Sequence, residues 1–199
     1  MSLKIDPKAR GLIFDIDGTL VDTMPIHFRA WQKVAEEYGF EYPETLFYQL
    51  AGMPTAAIIR YINKHQVKKL NPEELVKAKN DAYLSLINNI RLIGPVFKIV
   101  EEYHGKLPMA LGTGEYRKIA LVNIRVTGLE RYFDKLVTAD DVTNSKPDPE
   151  TFLKCAQLIN VSPENCQVFE DGGAGLEAAR RAGMIVTDVR PFLNNEATA

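Results

Sequence analysis

Several features that mark other protein classes are rare or missing in this 199-residue sequence. It contains two cysteines, Cys155 and Cys166, without a CxxC spacing or a cluster of histidines, so no zinc-site pattern is present. We expect both to be small buried side chains in a reducing compartment. The sequence has no stretch of about 18 apolar residues that could cross a bilayer, and its opening residues lack the apolar segment of a signal peptide. These absences predict a cytoplasmic protein that does not insert into a membrane.

The chain also lacks a strong excess of charge of either sign. It carries 24 basic and 26 acidic residues, for a formal net charge of −2. Such a balance produces no overall field that would attract nucleic acid or an anionic membrane surface. We therefore expect a small molecule as the binding partner and a monomer as the oligomeric state. Hydrophobic residues make up 46% of the chain, which suffices for one core domain with a modest insertion.

Short apolar segments alternate with helical patterns along most of the chain. Each segment is too short for a helix, and glycine, proline or polar residues flank it. Alternating strands and helices predict a parallel sheet with right-handed crossovers, which is an α/β fold. The predicted strands lie at 11–16, 107–113, 135–139, 166–171 and 183–188.

One region breaks this alternation, because residues 24–94 contain helical patterns and no convincing strand. Between Met24 and Tyr38, apolar residues return every three or four positions, and Gly39 follows as a stop signal. Further helices are predicted within 54–65 and 72–90. We predict a Rossmann-like α/β core and an inserted all-helical part, with the core formed by residues 1–22 and 95–199 and the insertion by residues 23–94.

The segment DIDGT places Asp15 and Asp17 at the exit of the first predicted strand. Ligands of open parallel sheets bind at this carboxyl edge. A turn or helix cap is the alternative role for such acids, and Gly18 would serve that turn. A calcium loop is excluded, because Thr19 and Leu20 stand where that pattern needs an acid or amide and a glycine.

Three further loops add polar side chains after predicted strands. Thr113 offers a hydroxyl, and the backbone amides from Gly114 onward could face an anion. Lys146 lies just before a predicted helix, and Glu170 and Asp171 end another strand. Because parallel strands share one carboxyl edge, we expect all four loops to converge there.

This set of residues suits phosphoryl transfer through a phosphorylated aspartate. A carboxylate that attacks a phosphate dianion at about 4 Å, with an effective dielectric constant near 20, meets a repulsion of roughly 8 kcal/mol. A Mg²⁺ ion on oxygen ligands and a lysine ammonium group can cancel this repulsion. The spacing of the two aspartates favours Asp15 as the nucleophile and Asp17 as the general acid, and then as the base toward water.

These motifs resemble those of the haloacid dehalogenase superfamily of phosphotransferases, and the match covers essentially the whole chain. DIDGT is similar to its first motif, LGTGEY to its second, KPDPE to its third and FEDGGAG to its fourth. One departure is Gly172-Gly173, where relatives often carry serine or another polar residue. This departure leaves open which groups hydrogen-bond to the metal-binding acids.

The resemblance implies a role for each matching position. The first aspartate is phosphorylated, the second is the acid and base, and the second and third motifs hold the phosphate. The implied set comprises catalytic Asp15 and Asp17, phosphate-binding Thr113, Gly114 and Lys146, and Mg²⁺ ligands Asp15, Asp17 through its backbone carbonyl, Glu170 and Asp171.

The helical insertion resembles the cap of β-phosphoglucomutase and of small sugar phosphatases. The segments HFRAW and KND are similar to the mutase, but the loop 51–55 lacks the cations with which a mutase grips a second phosphate. Other segments resemble the bacterial fructose-1-phosphatase and 6-phosphogluconate phosphatase branch. The sequence therefore predicts a Mg²⁺-dependent sugar phosphatase, with a sugar phosphomutase as the alternative and a non-catalytic phosphosugar-binding protein as a third hypothesis.

The role of several other residues is left open by the sequence. His27 could hydrogen-bond near Asp17 or be a partly exposed helix residue, and Glu115 could orient substrate hydroxyls or, as we favour, start a helix. We expect Trp31 to pack in the core. Met53 and Thr55 are candidate substrate contacts because the cap loop should face the site, whereas His65 and His104 are predicted to be surface residues.

Overall fold

A parallel five-stranded sheet forms the centre of the computed structural model, which describes residues 3–50, 53–87 and 90–193. The spatial order of the strands is β3-β2-β1-β4-β5, and every strand falls within a segment predicted from the sequence. The predicted α/β fold class is thereby confirmed. The strands are β1 Gly11–Phe14, β2 Met109–Gly112, β3 Leu136–Val137, β4 Cys166–Glu170 and β5 Ile185–Asp188.

Helices fill the intervals between the strands. Four of them, α1 to α4, lie between β1 and the helix that precedes β2, as the all-helical insertion predicts. In the described part of the chain, no helix is both long and apolar enough to cross a membrane. The helices are α1 Met24–Tyr38, α2 Glu44–Gln49, α3 Thr55–His65, α4 Pro72–Leu86, α5 Gly94–Tyr103, α6 Arg117–Thr127, α7 Glu150–Leu158, α8 Gly173–Arg181 and α9 Arg190–Leu193.

The central strand β1 is buried on both faces, which explains its unbroken apolar sequence GLIF. Leu12 and Phe14 belong to one hydrophobic cluster, and the Phe14 ring stacks on the Phe169 ring at 4.8 Å between centroids. Ile13 points the other way, into a cluster with Cys155. Cys155 and Cys166 are both free and buried, as predicted. The polar residues that follow β1 therefore start from a rigid, fully packed strand.

The helical insertion has its own apolar interior. Helix α1 packs against α4, and α3 also packs against α4. Trp31 is 2% exposed and joins the core, as predicted, and Gly39 ends α1 with a positive φ of 67°. Helix α2 was missed by the sequence prediction because its six residues are too few to show a helical period.

The chain leaves and re-enters the sheet region through two adjacent segments. Val21 pairs with Leu92 in an antiparallel bridge, and the amide of Asp22 donates to the carbonyl of Arg91 at 2.9 Å. These contacts lie one to three residues from the predicted limits of the insertion, residues 23–94. The division into a core of residues 1–22 and 95–199 and a cap stays a prediction.

Candidate active site

Strand register brings the first two motifs to one edge of the sheet. Asp15 directly follows β1, and its amide donates to the carbonyl of Phe169 on β4 at 3.1 Å. Thr113 directly follows β2, and its amide donates to the carbonyl of Val137 on β3 at 3.0 Å. Since Glu170 is the last residue of β4, the polar side chains of three motifs begin from neighbouring strands.

Lys146 connects the third motif to the first and the fourth. Its Nζ lies 2.7 Å from Oδ1 of Asp15 and 2.7 Å from Oε2 of Glu170, and it donates to the carbonyl of Gly112 at 3.2 Å. Burial alone would lower the pKa of Lys146, but the charges of Asp15 and Glu170 outweigh burial and raise it. The side chain is therefore a buried ammonium ion that is shared between two carboxylates.

Three acids form a compact cluster of oxygen donors. Asp15, Glu170 and Asp171 each offer a carboxylate oxygen, and these atoms lie within 4.8 Å of one another. Burial, followed by the charge of Glu170, raises the pKa of Asp15 and raises that of Asp171 to about 6. One lysine cannot balance three carboxylates, two of them buried, and hard oxygen donors at this spacing suit a divalent cation such as Mg²⁺.

Backbone groups fix the position of Glu170 in this cluster. Its Oε1 accepts hydrogen bonds from the amides of Asp171 at 3.1 Å and Gly172 at 2.8 Å. A Cβ atom at Gly175 would lie 1.8 Å from Oε2 of Glu170, so that glycine is required by space. Helix α8 thus approaches the acid closely because its sequence is GAG at this point.

The hydrogen bonding that the Gly172-Gly173 departure left open is supplied by other groups. Backbone amides hold Glu170, as described above, and the Thr19 hydroxyl donates to Oδ1 of Asp171 at 2.7 Å. Gly18 has a φ of 87°, and a Cβ atom there would lie 2.5 Å from Oδ2 of Asp171. The first motif therefore positions the fourth through Gly18 and Thr19.

Asp17 has its own hydrogen-bond partners, separate from the acid cluster. Its Oδ1 lies 3.4 Å from Nε2 of His27 and accepts from Nδ2 of Asn123 at 3.1 Å, while Oδ2 accepts from the Thr113 hydroxyl at 3.3 Å. Burial alone would raise the pKa of Asp17, but the hydrogen bond and charge of His27 outweigh burial and lower it. The two aspartates therefore differ in environment, as different catalytic roles require.

His27 is a buried neighbour of Asp17, and the alternative of an exposed helix residue is wrong. It is 8% exposed, and its ring stacks on Tyr83 of α4 at 4.3 Å between centroids. The Tyr83 hydroxyl donates to Oδ1 of Asn123 at 2.9 Å. Sequence reasoning missed Asn123 and Tyr83, because they lie on two helices remote in sequence from Asp17. The sequence did contain one signal for Asn123, since it is a polar residue on the otherwise apolar, buried face of α6.

A cavity of about 130 Å³ lies between the sheet edge and the helical insertion. Every candidate site residue named from the sequence lines it, including Gly114, Met53 and Thr55. His65 and His104 are exposed, as predicted. The wall of the cavity on the side of the insertion is largely apolar. It is formed by Met24, Trp31, Tyr42, Phe47, Leu50, Met53, Pro54 and Ile58.

Glu115 lies just before helix α6, which begins at Arg117 with Tyr116 as its N-cap. Its Oε1 accepts a hydrogen bond from the Tyr116 amide at 3.0 Å, in keeping with the favoured role of an acid at a helix start. Its Oε2 lies 3.3 Å from Nζ of Lys79 on α4, and both residues line the cavity. The alternative role, contact with substrate hydroxyls, stays a prediction.

The fold and site together define a class of enzyme. The carboxyl edge of a parallel sheet carries a buried lysine and a cluster of acids that could bind a metal ion. The helical insertion lies over them. A sequence profile of the haloacid dehalogenase-like hydrolase family matches residues 12–189. The chain belongs to that family.

Several known proteins are similar to this chain over most of their length. "Fructose-1-phosphate phosphatase YqaB" of Escherichia coli is 43% identical, with 90% of this chain and 96% of that protein covered. A "phosphorylated carbohydrates phosphatase" of Thermotoga maritima is 35% identical, with 87% and 81% covered. The crystal structure of a β-phosphoglucomutase from Clostridium difficile superposes with a TM-score of 0.81 at 27% identity, with 90% and 84% covered. These comparisons confirm the predicted family resemblance and the prediction of a phosphatase-type hydrolase.

Proposed function

We propose that this hydrolase is a Mg²⁺-dependent phosphatase that acts on a small sugar phosphate through phosphorylation of Asp15. The observation that carries the proposal is the position of Lys146, 2.7 Å from both Asp15 and Glu170 at the base of the cavity. An ammonium group beside the attacking carboxylate lowers the repulsion that a phosphate dianion would meet there.

Each proposed step uses a group placed by the fold. A carboxylate oxygen of Asp15 bonds to phosphorus, the ester P–O bond breaks, and Asp17 gives a proton to the leaving alkoxide. A phosphate dianion next to Asp17 raises its pKa and so favours the protonated form that this step needs. Water then attacks the phosphorus of the phosphorylated Asp15 and gives a proton to Asp17. The bond between phosphorus and the Asp15 oxygen breaks, and inorganic phosphate and the free Asp15 carboxylate result.

We propose the phosphate and metal ligands from the same set of residues. Thr113, the backbone at Gly114 and Lys146 would hold the phosphate oxygens. Asp15, Glu170 and Asp171 would hold Mg²⁺, and the carbonyl of Asp17 is the proposed fourth protein ligand. When bound, the ion supplies positive charge against the phosphate and orients it toward the attacking oxygen.

Support for a sugar phosphate comes from the relatives and from the cavity. Two similar proteins carry the names of fructose-1-phosphate and phosphorylated-carbohydrate phosphatases. The cavity is small and closed on one side by the helical insertion, as suits a single sugar unit. Fructose 1-phosphate and 6-phosphogluconate are the candidate substrates from the sequence. We further propose a monomer in the cytoplasm, with no nucleic-acid or membrane partner.

Phosphate release from p-nitrophenyl phosphate, with and without Mg²⁺, tests the reaction type. We expect hydrolysis that EDTA abolishes and excess Mg²⁺ restores. Activity that persists in EDTA would defeat the proposal. Binding of phosphosugars without turnover of any ester in a broad panel would instead favour the hypothesis of a non-catalytic binding protein.

A sugar phosphomutase remains the second candidate, since the chain superposes on a β-phosphoglucomutase structure. Against it, the loop 51–55 contains no lysine or arginine to grip a second phosphate. Ala51 and Gly52 lie outside the described residues, whereas Met53 and Thr55 line the cavity. With β-glucose 1-phosphate, faster formation of glucose 6-phosphate than of free phosphate would establish the mutase, and the reverse result excludes it.

A further inference from the structure

One ion pair joins the helical insertion to the core at the wall of the cavity. Nζ of Lys79 on α4 lies 3.3 Å from Oε2 of Glu115 in the loop between β2 and α6. Lys79 is 2% exposed, and both residues line the cavity. Neither residue is among the phosphate or metal ligands proposed above, although the charge of Lys79, after the larger effect of His27, helps to lower the pKa of Asp17. As lining residues outside that ligand set, the pair is available to contact the remainder of the substrate.

The carboxylate of this pair is held in place by backbone groups. Oε1 of Glu115 accepts from the amide of Tyr116 at 3.0 Å, and the amide of Glu115 donates to the Thr113 hydroxyl at 3.0 Å. The Lys79 ammonium also lies 5.3 Å from the centre of the Tyr83 ring. A buried ammonium group needs a fixed counter-charge, and Glu115 supplies it.

The cavity wall offers few positive charges to a substrate, so the pairing of Lys79 with Glu115 affects which substrate tails can bind. Among the lining residues that the structure describes, the lysines are Lys79 and Lys146, and no arginine is present. Lys146 is engaged with Asp15 and Glu170. Of these two lysines, Lys79 is thus the one that no acid of the metal cluster engages, and Glu115 already balances its charge.

We infer that Glu115 neutralises Lys79, so that the part of the cavity beside this pair, here called the distal end, accepts an uncharged, hydroxyl-bearing tail and rejects a tail with a carboxylate or second phosphate. This inference rests on the proposed phosphatase function and narrows its substrate class to sugar or polyol monophosphates with neutral tails. Of the two candidate substrates, it therefore favours fructose 1-phosphate over 6-phosphogluconate. A hydroxyl can donate to Glu115 and accept from Lys79 without adding charge. A second anion must share the ammonium with Glu115 in a poorly solvated space.

The Tyr42 hydroxyl is a further polar group in the cavity wall. Tyr42 lines the cavity and is 5% exposed, and its hydroxyl has no hydrogen-bond partner among the described residues. Buried hydroxyl groups in proteins nearly always have a partner. The oxygen is fully buried in this structure, so a substrate hydroxyl would become its partner only if the side chain turned toward the cavity.

Two linear esters test the inference directly, glucitol 6-phosphate and 6-phosphogluconate. They share the carbon chain length and the phosphate and differ at the terminal carbon, which carries a hydroxyl in one and a carboxylate in the other. We expect kcat/KM at least tenfold higher for glucitol 6-phosphate. Glu115→Gln should shift this ratio at least tenfold toward 6-phosphogluconate, which corresponds to about 1.4 kcal/mol.

Lys79→Met provides a second variant with the opposite expected sign. It leaves Glu115 without its counter-charge, so the ratio should move further toward glucitol 6-phosphate. Glu177→Gln is the matched control, because it makes the same chemical change in an exposed pair with Arg181 on α8. This control should leave the ratio unchanged.

The outcomes separate this inference from the proposed function. If the unchanged protein does not hydrolyse p-nitrophenyl phosphate with Mg²⁺, the proposed function fails. If it hydrolyses that ester but prefers 6-phosphogluconate, the inference alone is overturned. An unchanged ratio in both the Glu115→Gln and Lys79→Met variants would overturn it as well.

Discussion

The two ends of the cavity are built in different ways. At the phosphate end, acids stand at the ends of neighbouring strands, and Lys146 lies 2.7 Å from Asp15 and 2.7 Å from Glu170. At the distal end, the insertion presents apolar side chains, and its Lys79 is balanced by Glu115 from the core loop between β2 and α6. The first end is suited to chemistry on any phosphate ester, and the second is suited to selecting one ester among many.

This contrast predicts two kinds of mutational effect. Changes at the phosphate end should reduce turnover of every ester alike, including p-nitrophenyl phosphate, because all substrates share the phosphate. Changes at the distal end should alter the ratio between substrates. A strong change in this ratio in a variant of the phosphate end would contradict the division of roles between the two ends.

The largest effect is expected for Asp15→Asn. The amide keeps the shape of the side chain but cannot act as the nucleophile, so kcat should fall by about 10⁴-fold or more for all esters. Steady-state phosphate release measures the loss, and circular dichroism checks the fold. The matched control is Asp22→Asn, an exposed acid in the same segment, which should retain activity. Residual activity within about tenfold of the unchanged protein would rule out Asp15 as the nucleophile.

Lys146→Met should reduce both activity and stability. It removes the cation shared by two buried carboxylates, so the free energy of unfolding should fall by about 3–5 kcal/mol and kcat by at least about 10²-fold. Urea denaturation and phosphate release are the measurements. Lys154→Met removes a partly exposed ion pair with Glu150 and should change both quantities little. Equal effects of the two variants would contradict the account.

Substitutions at two glycines of helix α8 test the acid cluster, one as the variant and the other as its control. A Cβ atom at Gly175 would collide with Oε2 of Glu170 at 1.8 Å, whereas one at Gly173 would meet no atom within 4 Å. Gly175→Ala should therefore cost about 1–3 kcal/mol of unfolding free energy and raise the Mg²⁺ concentration needed for half-maximal activity. Gly173→Ala should be neutral or slightly stabilising. Identical Mg²⁺ titrations for the two variants would show that Glu170 does not help to hold the metal.

A smaller effect is expected for Tyr83, a residue of the insertion that supports Asp17, the proposed general acid and base. Tyr83→Phe removes the donor to Asn123, which in turn donates to Asp17. The loss should be about 0.5–1.5 kcal/mol in unfolding free energy, with kcat reduced by less than about tenfold for every ester. Thermal denaturation and kcat on two different esters measure it. A change confined to one substrate would place Tyr83 at the distal end instead.

The smallest effect is expected for Tyr42→Phe. For p-nitrophenyl phosphate the change should be near zero, because that ester has no sugar hydroxyl to meet the Tyr42 oxygen. For a polyol phosphate, kcat/KM should fall by about twofold to tenfold, as expected for one neutral hydrogen bond. Equal losses on both esters would remove Tyr42 from the substrate-binding wall.

How much the sequence could predict also differs between the two ends. The strands, Asp15, Asp17, Thr113 and the fourth motif were predictable, because local apolar runs define strand ends and parallel strands share one edge. The pairing of Lys79 with Glu115 was not predictable from local patterns. These residues are separated by 36 positions, and their contact depends on how the insertion packs over the core.

The two contacts of Glu115 show the same difference. Its hydrogen bond from the Tyr116 amide, just before α6, is the local contact that the sequence favoured. Its ion pair with Lys79 is set by tertiary packing and has no local signal. His27 was undecided for the same reason, since its burial against Tyr83 depends on α4.

Chemical trapping of the phosphorylated side chain would show whether Asp15 is the nucleophile. During turnover with Mg²⁺, the protein can be quenched and reduced with borohydride, which converts a phosphorylated aspartate into homoserine that mass spectrometry locates in the sequence. The account predicts homoserine at position 15, and none when EDTA is present or the ester is omitted. Homoserine at another position, or steady phosphate release with no trapped product, would contradict it.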